Sequence, residues 1–370
     1  MAGPPHISAE EAQARVLLHQ TPGVGAAKLQ RLLEGFGSAQ GALASGRAEL
    51  AQLVGPTLAA ALGDRTARQR RYLTSMKTLR RLGAEALAVG APSYPTRLLD
   101  LAPPPPVVYL RGRIAAGSAL AIVGTRRATG AACARAAELA AGLVRAGYAV
   151  VSGGAYGVDA AAHLGALDSG GMTTVVFGGG LDRPYPERHI ALFERAARQG
   201  AVLTPFRPGT PPLRGGFLAR NRIIAALSEA VIVVEAGWRS GARSTALAAR
   251  ALGRVVFAMP GSPGTGRLLA EGALEVGSAE EALGALSGCS RSAVARPAVL
   301  RCAPEREAIL EALAAAPQSP AETIARRAGV HPAQALAELM ALVLEGRVVQ
   351  QPGGRYCRVD IPDVPPPDQE

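Results

Sequence analysis

Residues 118–163 read SALAIVGTRRATGAACARAAELAAGLVRAGYAVVSGGAYGVDAAAH. The apolar run Ala119 to Val123, closed by Gly124, fits a buried parallel strand. The following residues are Ala-rich with Leu139, Leu143 and Val144 at helical spacing, and Ala149 to Ser152 reads as the next strand. This is a βαβ unit. In such a sheet a ligand sits at the carboxyl ends of the strands, where a Gly-rich turn presents backbone N–H groups at a helix N-terminus. Gly124-Thr125-Arg126-Arg127 and Ser152-Gly153-Gly154, with Gly157 beyond it, fall there. Both turns suit an anion, and Arg126 adds a guanidinium able to hold a phosphate by two hydrogen bonds.

The alternation continues outward. Apolar strands are expected at Thr173 to Gly178, Ala201 to Pro205, Val231 to Glu235 and Val255 to Met259, with helical patterns in most gaps. Six interleaved strands predict an α/β fold with a doubly wound, Rossmann-like parallel sheet. Before it, Pro103 to Pro106 pass as an extended connector into a strand at Val107 to Gly112. Polar and glycine residues gather after the strand ends: Gly178-Gly179-Gly180-Leu181-Asp182, Tyr185-Pro186, Arg220-Asn221-Arg222, Glu235 with Ser240-Gly241, and Pro260-Gly261. Arg126, Arg220 and Arg222 are expected to converge on successive phosphates, with Asn221, Thr125 and Ser152 donating to phosphate or base edges. Asp159 reads as a helix cap that fixes its turn, and His163 as a packed structural histidine. Tyr185 and Phe217 are read equally as base-stacking or core residues.

The 370 residues allow two or three domains. Forty basic residues against 29 acidic ones give a formal charge of +11, which favours a polyanionic partner. Lysine is confined to Lys28 and Lys77, so codon bias toward arginine contributes to the composition without explaining the excess of positive charge. The four cysteines (Cys133, Cys289, Cys302 and Cys357) are scattered, with no histidines at metal-ligand spacing, so reduced thiols and no metal site are expected. With neither a signal pattern at the start nor an apolar run long enough for a membrane span, a soluble cytoplasmic protein is expected.

The order of motifs VGTR, SGGAYGVDAAAH, GGGLDRPYP, FLARNRIIAALS, VVEAGWRSGARSTALAA and PG, over roughly Tyr94 to Gly277, resembles the DNA-processing protein A (DprA, also called Smf) family. The resemblance implies an extended Rossmann fold that binds single-stranded DNA, dimerises, and loads the recombinase RecA onto incoming DNA during natural transformation, with no cofactor. It carries a phosphate-holding turn onto Gly124, Thr125 and Arg126, and a second turn onto Ser152, Gly153, Ala155, Gly157 and Asp159. A third element falls on Arg220, Asn221, Arg222, Ile223 and Ile224. Where the family often has a basic residue soon after its Tyr-Pro pair, this chain has Glu187 before Arg188. Arg243 occupies a variable position of the Ser240-Gly241 turn and makes it more cationic. Gly154, Arg188, Ser240, Gly241 and Arg243 complete the candidate surface.

Flanking regions complete the plan. Residues 1–85 are read as a small helical domain. Ser8 and Glu11 form a capping box. The loop Pro22-Gly23-Val24-Gly25 and the following Lys28 resemble a helix-hairpin-helix unit that holds a nucleic-acid backbone, an auxiliary contact or a plain turn. Residues 86–286 form the sheet domain and 287–299 a linker. Residues 300–360 carry three helices and a hairpin, a winged helix, with Ser319 as N-cap and Pro320 as first residue of its second helix. The third helix bears Gln334 and Glu338 and no basic residue, which favours a protein-contact or accessory role over groove binding. Residues 361–370 read as a disordered tail.

The leading function is a non-catalytic single-stranded DNA-binding protein that protects the strand and passes it to RecA. Two alternatives stand beside it. A phosphoribohydrolase-like nucleotide hydrolase would need a glutamate after the threonine of its PGGxGTxxE motif, where this chain has SGARSTALAA. A duplex-binding regulator would rest on the winged helix alone. A dinucleotide dehydrogenase is weaker still, because GTRRATG is not GxGxxG and no acidic residue ends the second strand.

Overall fold

Successive residues of the strand Ala119–Val123 enter opposite layers of the core. Leu120 and Ile122 pack with one set of helices, while Ala119, Ala121 and Val123 pack with another. Both faces of the strand are therefore covered, which is why it reads as an unbroken apolar run rather than an alternating one. The computed structural model describes residues 7–238, 240–291, 304–344, 348–351 and 355–358, and the chain divides into two units, residues 1–296 and 297–370.

The first unit holds a nine-stranded sheet. Its strands are β1 (Ala84–Ala88), β2 (Val107–Gly112), β3 (Ala119–Val123), β4 (Ala149–Ser152), β5 (Thr173–Val176), β6 (Ala201–Thr204), β7 (Ala230–Val233), β8 (Val255–Ala258) and β9 (Leu274–Glu275). They lie in the order β1-β2-β6-β5-β4-β3-β7-β8-β9. From β6 to β9 every pairing is parallel, and β2 runs antiparallel to both β6 and β1. The chain leaves β3 toward β4, β5 and β6 and then returns to place β7 on the other side of β3. That reversal opens a crevice at the carboxyl ends of β3 and β7, the place where doubly wound sheets bind ligands. The six expected strands and the connector strand are all present, and the sheet is longer than expected by β1 and β9.

Six helices precede β1: α1 (Ala9–His19), α2 (Ala26–Phe36), α3 (Ala39–Ala44), α4 (Arg47–Val54), α5 (Pro56–Gly63) and α6 (Arg65–Leu82). The Ser8 hydroxyl accepts from the Glu11 N–H at 3.2 Å, and the Glu11 carboxylate turns outward to accept the N–H groups of Ala39 and Gln40, fixing α1 to α3. These helices have a core of their own around Leu18, Leu29, Leu32, Ala59 and Leu62. They also share one with the sheet, since Val16 and Leu79 pack beside Tyr109, Val175 and Phe193. Beneath that contact is a buried polar knot: His19 Nδ1 lies 2.9 Å and Gln20 Nε2 lies 2.8 Å from the Tyr109 hydroxyl, and Ser75 donates to Gln20 Oε1 at 2.7 Å. A boundary drawn at residue 85 therefore passes through β1 and between elements that belong to one unit.

After β3 the helices are α7 (Gly130–Arg145), α8 (Val158–Asp168), α9 (Ile190–Gln199), α10 (Arg214–Leu227), α11 (Ala242–Ala251), α12 (Pro263–Ala270) and α13 (Ala279–Arg291). Helices α7, α8 and α13 cover one face, and α10, α11 and α12 the other. The alanine content has a packing reason: a Cβ on Gly165 of α8 would lie 2.4 Å from the Ala137 carbonyl of α7, so these helices meet almost backbone to backbone. Helix α13 continues through Arg291, beyond the linker start expected at 287.

The second unit contains α14 (Pro304–Ala315), α15 (Ala321–Arg327) and α16 (Pro332–Leu344), with β10 (Ser319–Pro320), β11 (Val348–Gln351) and β12 (Arg355–Arg358) in the order β10-β12-β11. Its core joins Ile309, Leu313, Ile324, Leu339 and Tyr356. Ser319 and Pro320 are not the cap and first turn of α15. Their extended backbone pairs with Tyr356 and Arg355, and Pro320 stands at the N-cap. The terminal segment 361–370 lies outside the described residues.

Candidate nucleic-acid interface

The two glycine turns are organised by one carboxylate. Asp159 in the first turn of α8 is buried, accepts the Ala155 N–H at 3.4 Å, and is also reached by the N–H groups of Gly124 and Gly153. Burial pushes its carboxyl up from the ordinary range, against the opposing pull of Arg220 and of these N–H groups. Asp159 thus joins the turn after β3 to the turn after β4; it is not the expected helix cap, because the N-cap of α8 is Gly157 and the N–H groups that Asp159 accepts lie outside the helix. Gly157 makes the junction possible: its φ is +76°, and a Cβ there would lie 2.4 Å from the Thr125 carbonyl.

Arg220 lies across the same point. It is 4% exposed, donates from Nη1 to the Val176 carbonyl at 2.9 Å, and rests on Gly153, where a Cβ would stand 1.5 Å from Nη1. Burial lowers its pKa to about 10, with Arg126 acting in the same direction and Asp159 in the other, so the group stays cationic at neutral pH. Above it, the Phe217 ring of α10 has the Arg220 guanidinium 5.8 Å and the Arg126 guanidinium 4.9 Å from its centroid. Tyr185 lies 5.7 Å from Phe217, and Tyr156 packs edge-on to His189 at 4.9 Å. Arg126, Tyr156 and Tyr185 are exposed, and these residues line one pocket together with Gly153 and Pro186. His189 donates from Nδ1 to the Gly154 carbonyl, which seats the turn bearing exposed Arg188 beside the pocket. The arrangement is a cationic and aromatic cradle, chemistry that fits a phosphate with a neighbouring base.

Several expected contacts are placed elsewhere. The Ser152 hydroxyl is fully buried and donates to the Ile122 carbonyl at 2.6 Å, so it knits β4 to β3. The Thr125 N–H is used by the Glu235 carbonyl at 2.8 Å, and its hydroxyl accepts from the Arg127 N–H at 3.2 Å; Arg127 itself is exposed. Gly153 and Gly154 are buried; Gly153 lies on the floor of the cradle, whereas Gly154 faces Phe193 and Val175. Arg220, Asn221 and Arg222 lie within α10 rather than on a turn. Residues two apart on a helix point to nearly opposite sides, so Arg222 reaches the Ala102 carbonyl at 3.3 Å while Arg220 enters the cradle. Asn221 donates to Ser244 Oγ at 2.6 Å and to the Gly241 carbonyl at 3.3 Å, fixing the Ser240-Gly241 turn at the start of α11. Arg243 pairs with Glu271 at 2.8 Å. Gly23, with φ +89°, and Gly25 are exposed on the loop before α2, with half-buried Lys28 after them, and Arg207 donates to the Thr21 carbonyl at that loop's start.

His163 is fully buried. Its Nδ1 donates to the Thr173 hydroxyl at 2.7 Å, because that hydroxyl already gives its proton to the Val150 carbonyl. Burial first, then Arg220 and His189, pull its pKa to about 3 and keep it neutral. Glu235, noted only as a polar residue after its strand, has a carboxylate that accepts from the N–H and hydroxyl of Thr129 at the start of α7, while His189 carried no recognisable signal. Among the described residues there is no group of three or more potential metal ligands and no helix long and apolar enough to cross a membrane.

Comparison with known proteins decides the family. The family model for DNA recombination-mediator protein A matches residues 85–287, more than half of the chain. The chain belongs to the DprA/Smf family. A DprA winged helix domain matches residues 292–354. A DprA relative from Mycobacterium tuberculosis is 47% identical over 240 residues, covering 62% of this chain and 61% of that protein, less than two thirds of its length. Protein Smf of Escherichia coli is 33% identical over 281 residues, covering 72% and 75%. The crystal structure of DNA processing protein A from Streptococcus pneumoniae shares the fold with a TM-score of 0.62 at 29% identity, covering 75% of this chain and 98% of that one. A DprA structure from Helicobacter pylori, described for its single-stranded DNA binding mode, gives a TM-score of 0.50 at 30% identity over 56% and 96% of the two chains.

Proposed function

We propose that this protein is a non-catalytic single-stranded DNA-binding protein that protects incoming strands and loads RecA onto them in transformation and recombination. The observation that carries the reading is the cradle: two guanidinia, Arg126 and Arg220, on the Phe217 ring at the sheet's crevice, with Tyr156 and Tyr185 at its rim. A chain of charge +11 adds a sequence-independent attraction for a polyanion. The Helicobacter pylori relative supports the choice of a single strand. The occupied state of Asp159 and the neutral burial of His163 support binding without chemistry, since neither is placed as a base. Homodimerisation through the sheet unit, RecA as partner and a cytoplasmic location complete the proposal.

Fluorescence anisotropy with oligothymidine and blunt duplex, in rising salt, tests it. The single strand binds more tightly than the duplex, affinity falls with salt, and Arg126→Ala weakens the single strand about tenfold, as loss of a charge-assisted phosphate contact requires. Equal affinity for the duplex, or no effect of Arg126→Ala, sinks the assignment. Release of free base from nucleoside monophosphates would establish the hydrolase instead. A RecA pull-down that retains nothing would remove the loading step.

A further inference from the structure

Trp238 is the chain's one tryptophan, and 65% of its surface is exposed. It stands in the loop after β7, three residues beyond Glu235, whose carbonyl holds the Thr125 N–H of the cradle turn. The loop is braced on both sides. Ala236 donates its N–H to Ser262 Oγ at 3.0 Å, and its carbonyl accepts from the Gly264 N–H at 2.7 Å, an approach that a Cβ on Gly264 would block at 2.5 Å. The Arg267 guanidinium lies over the indole at 5.7 Å and is held there by Glu271 at 2.8 Å. Glu271 also pairs with Arg243 at 2.8 Å and Arg250 at 3.6 Å, so three cations surround one carboxylate and the patch stays positive.

An exposed, braced indole beside surplus positive charge has the composition of a stacking platform for nucleobases. The cradle does not use it, because the cradle's ring is Phe217 on α10. We propose that Trp238, flanked by Arg267, is a second stacking site that takes an unpaired base of the same strand whose phosphate lies in the Arg126–Arg220 cradle. The inference rests on the single-strand reading above. Arg220 is anchored at the end of β5, and β4 and β3 separate β5 from β7. That is three strand spacings, roughly 14 Å, so a strand must extend several nucleotides to reach both.

A lone tryptophan makes emission a report on this position only. The wild type is titrated with an oligothymidine of about 20 nucleotides, longer than the roughly 4–16 that one single-strand module occupies. Tryptophan emission is read alongside anisotropy of the labelled strand. Emission falls along the same isotherm as the anisotropy rises, Trp238→Ala binds about tenfold more weakly, and Trp238→Phe recovers most of the loss. Strand binding with unchanged emission and with Trp238→Ala equal to wild type overturns the platform and leaves the cradle standing. Failure of the wild type to bind any strand overturns both. Emission that changes with protein concentration alone would seat a second copy of the chain on the ring and overturn the base-stacking role.

Discussion

Gly153→Ala probes the contact on which the cradle depends. The added methyl group would sit 1.5 Å from Nη1, 2.2 Å from Cζ and 2.6 Å from Nη2 of Arg220. Restoring ordinary contact requires the guanidinium to move by about 2 Å. Its bond to the Val176 carbonyl is now 2.9 Å long, and a displacement of that size breaks it. A bond from a charged donor contributes about 1.5–3 kcal/mol, and the guanidinium is also drawn away from Asp159, so the variant loses roughly 2–4 kcal/mol of stability. The same movement lifts Arg220 toward Phe217 and reshapes the floor, lowering affinity for oligothymidine about tenfold or more. Urea denaturation followed by circular dichroism reads the first effect and anisotropy the second. Gly117→Ala serves as the reference, because a Cβ there meets nothing within 4 Å and the residue lies outside every candidate contact. If Gly153→Ala unfolds at the same urea concentration as wild type and binds the strand equally well, Arg220 does not rest on Gly153 as described and the cradle reasoning fails.

Two further outcomes follow from the same geometry. Arg222→Ala leaves affinity for oligothymidine within about twofold, because its guanidinium bonds the Ala102 carbonyl away from the cradle; a loss matching that of Arg126→Ala in the same assay would place it on the strand after all. His19 and His163 are both held neutral by burial, with pKa values lowered from 6.5 to about 3. The unfolded chain therefore takes up protons near pH 6.5 while the folded chain does not, and stability is lost as pH falls below that value. Each histidine accounts for about 2 kcal/mol between pH 7 and pH 5; equal urea midpoints at the two pH values would refute their burial.

The central strands were legible because strands buried on both faces leave continuous apolar runs, and the glycine turns because close backbone approach excludes side chains. Less visible was anything that depended on direction or on a distant partner. Arg220 and Arg222 looked like a paired contact because Gly215 and Gly216, poor helix formers, hid the start of α10. Ser152 carries a hydroxyl suited to phosphate, yet the residue type does not tell which carbonyl it meets inside the sheet. Arg243 reads as free charge until the fold brings Glu271 to it. The added strand β1 follows directly on α6, within a stretch whose composition is otherwise helical.

The polar knot beneath α1 has a consequence for how the chain can be divided. The stretch matched by the family model starts at residue 85, but Tyr109 meets His19, Gln20 and, through Gln20, Ser75. Cutting at the family boundary would leave a phenol in an apolar setting without its hydrogen-bond partners and strip the cover from β1 and β2. The segment shared by the family is thus shorter than the segment that must fold together, and a working excision or chimera would have its seam before Ser8.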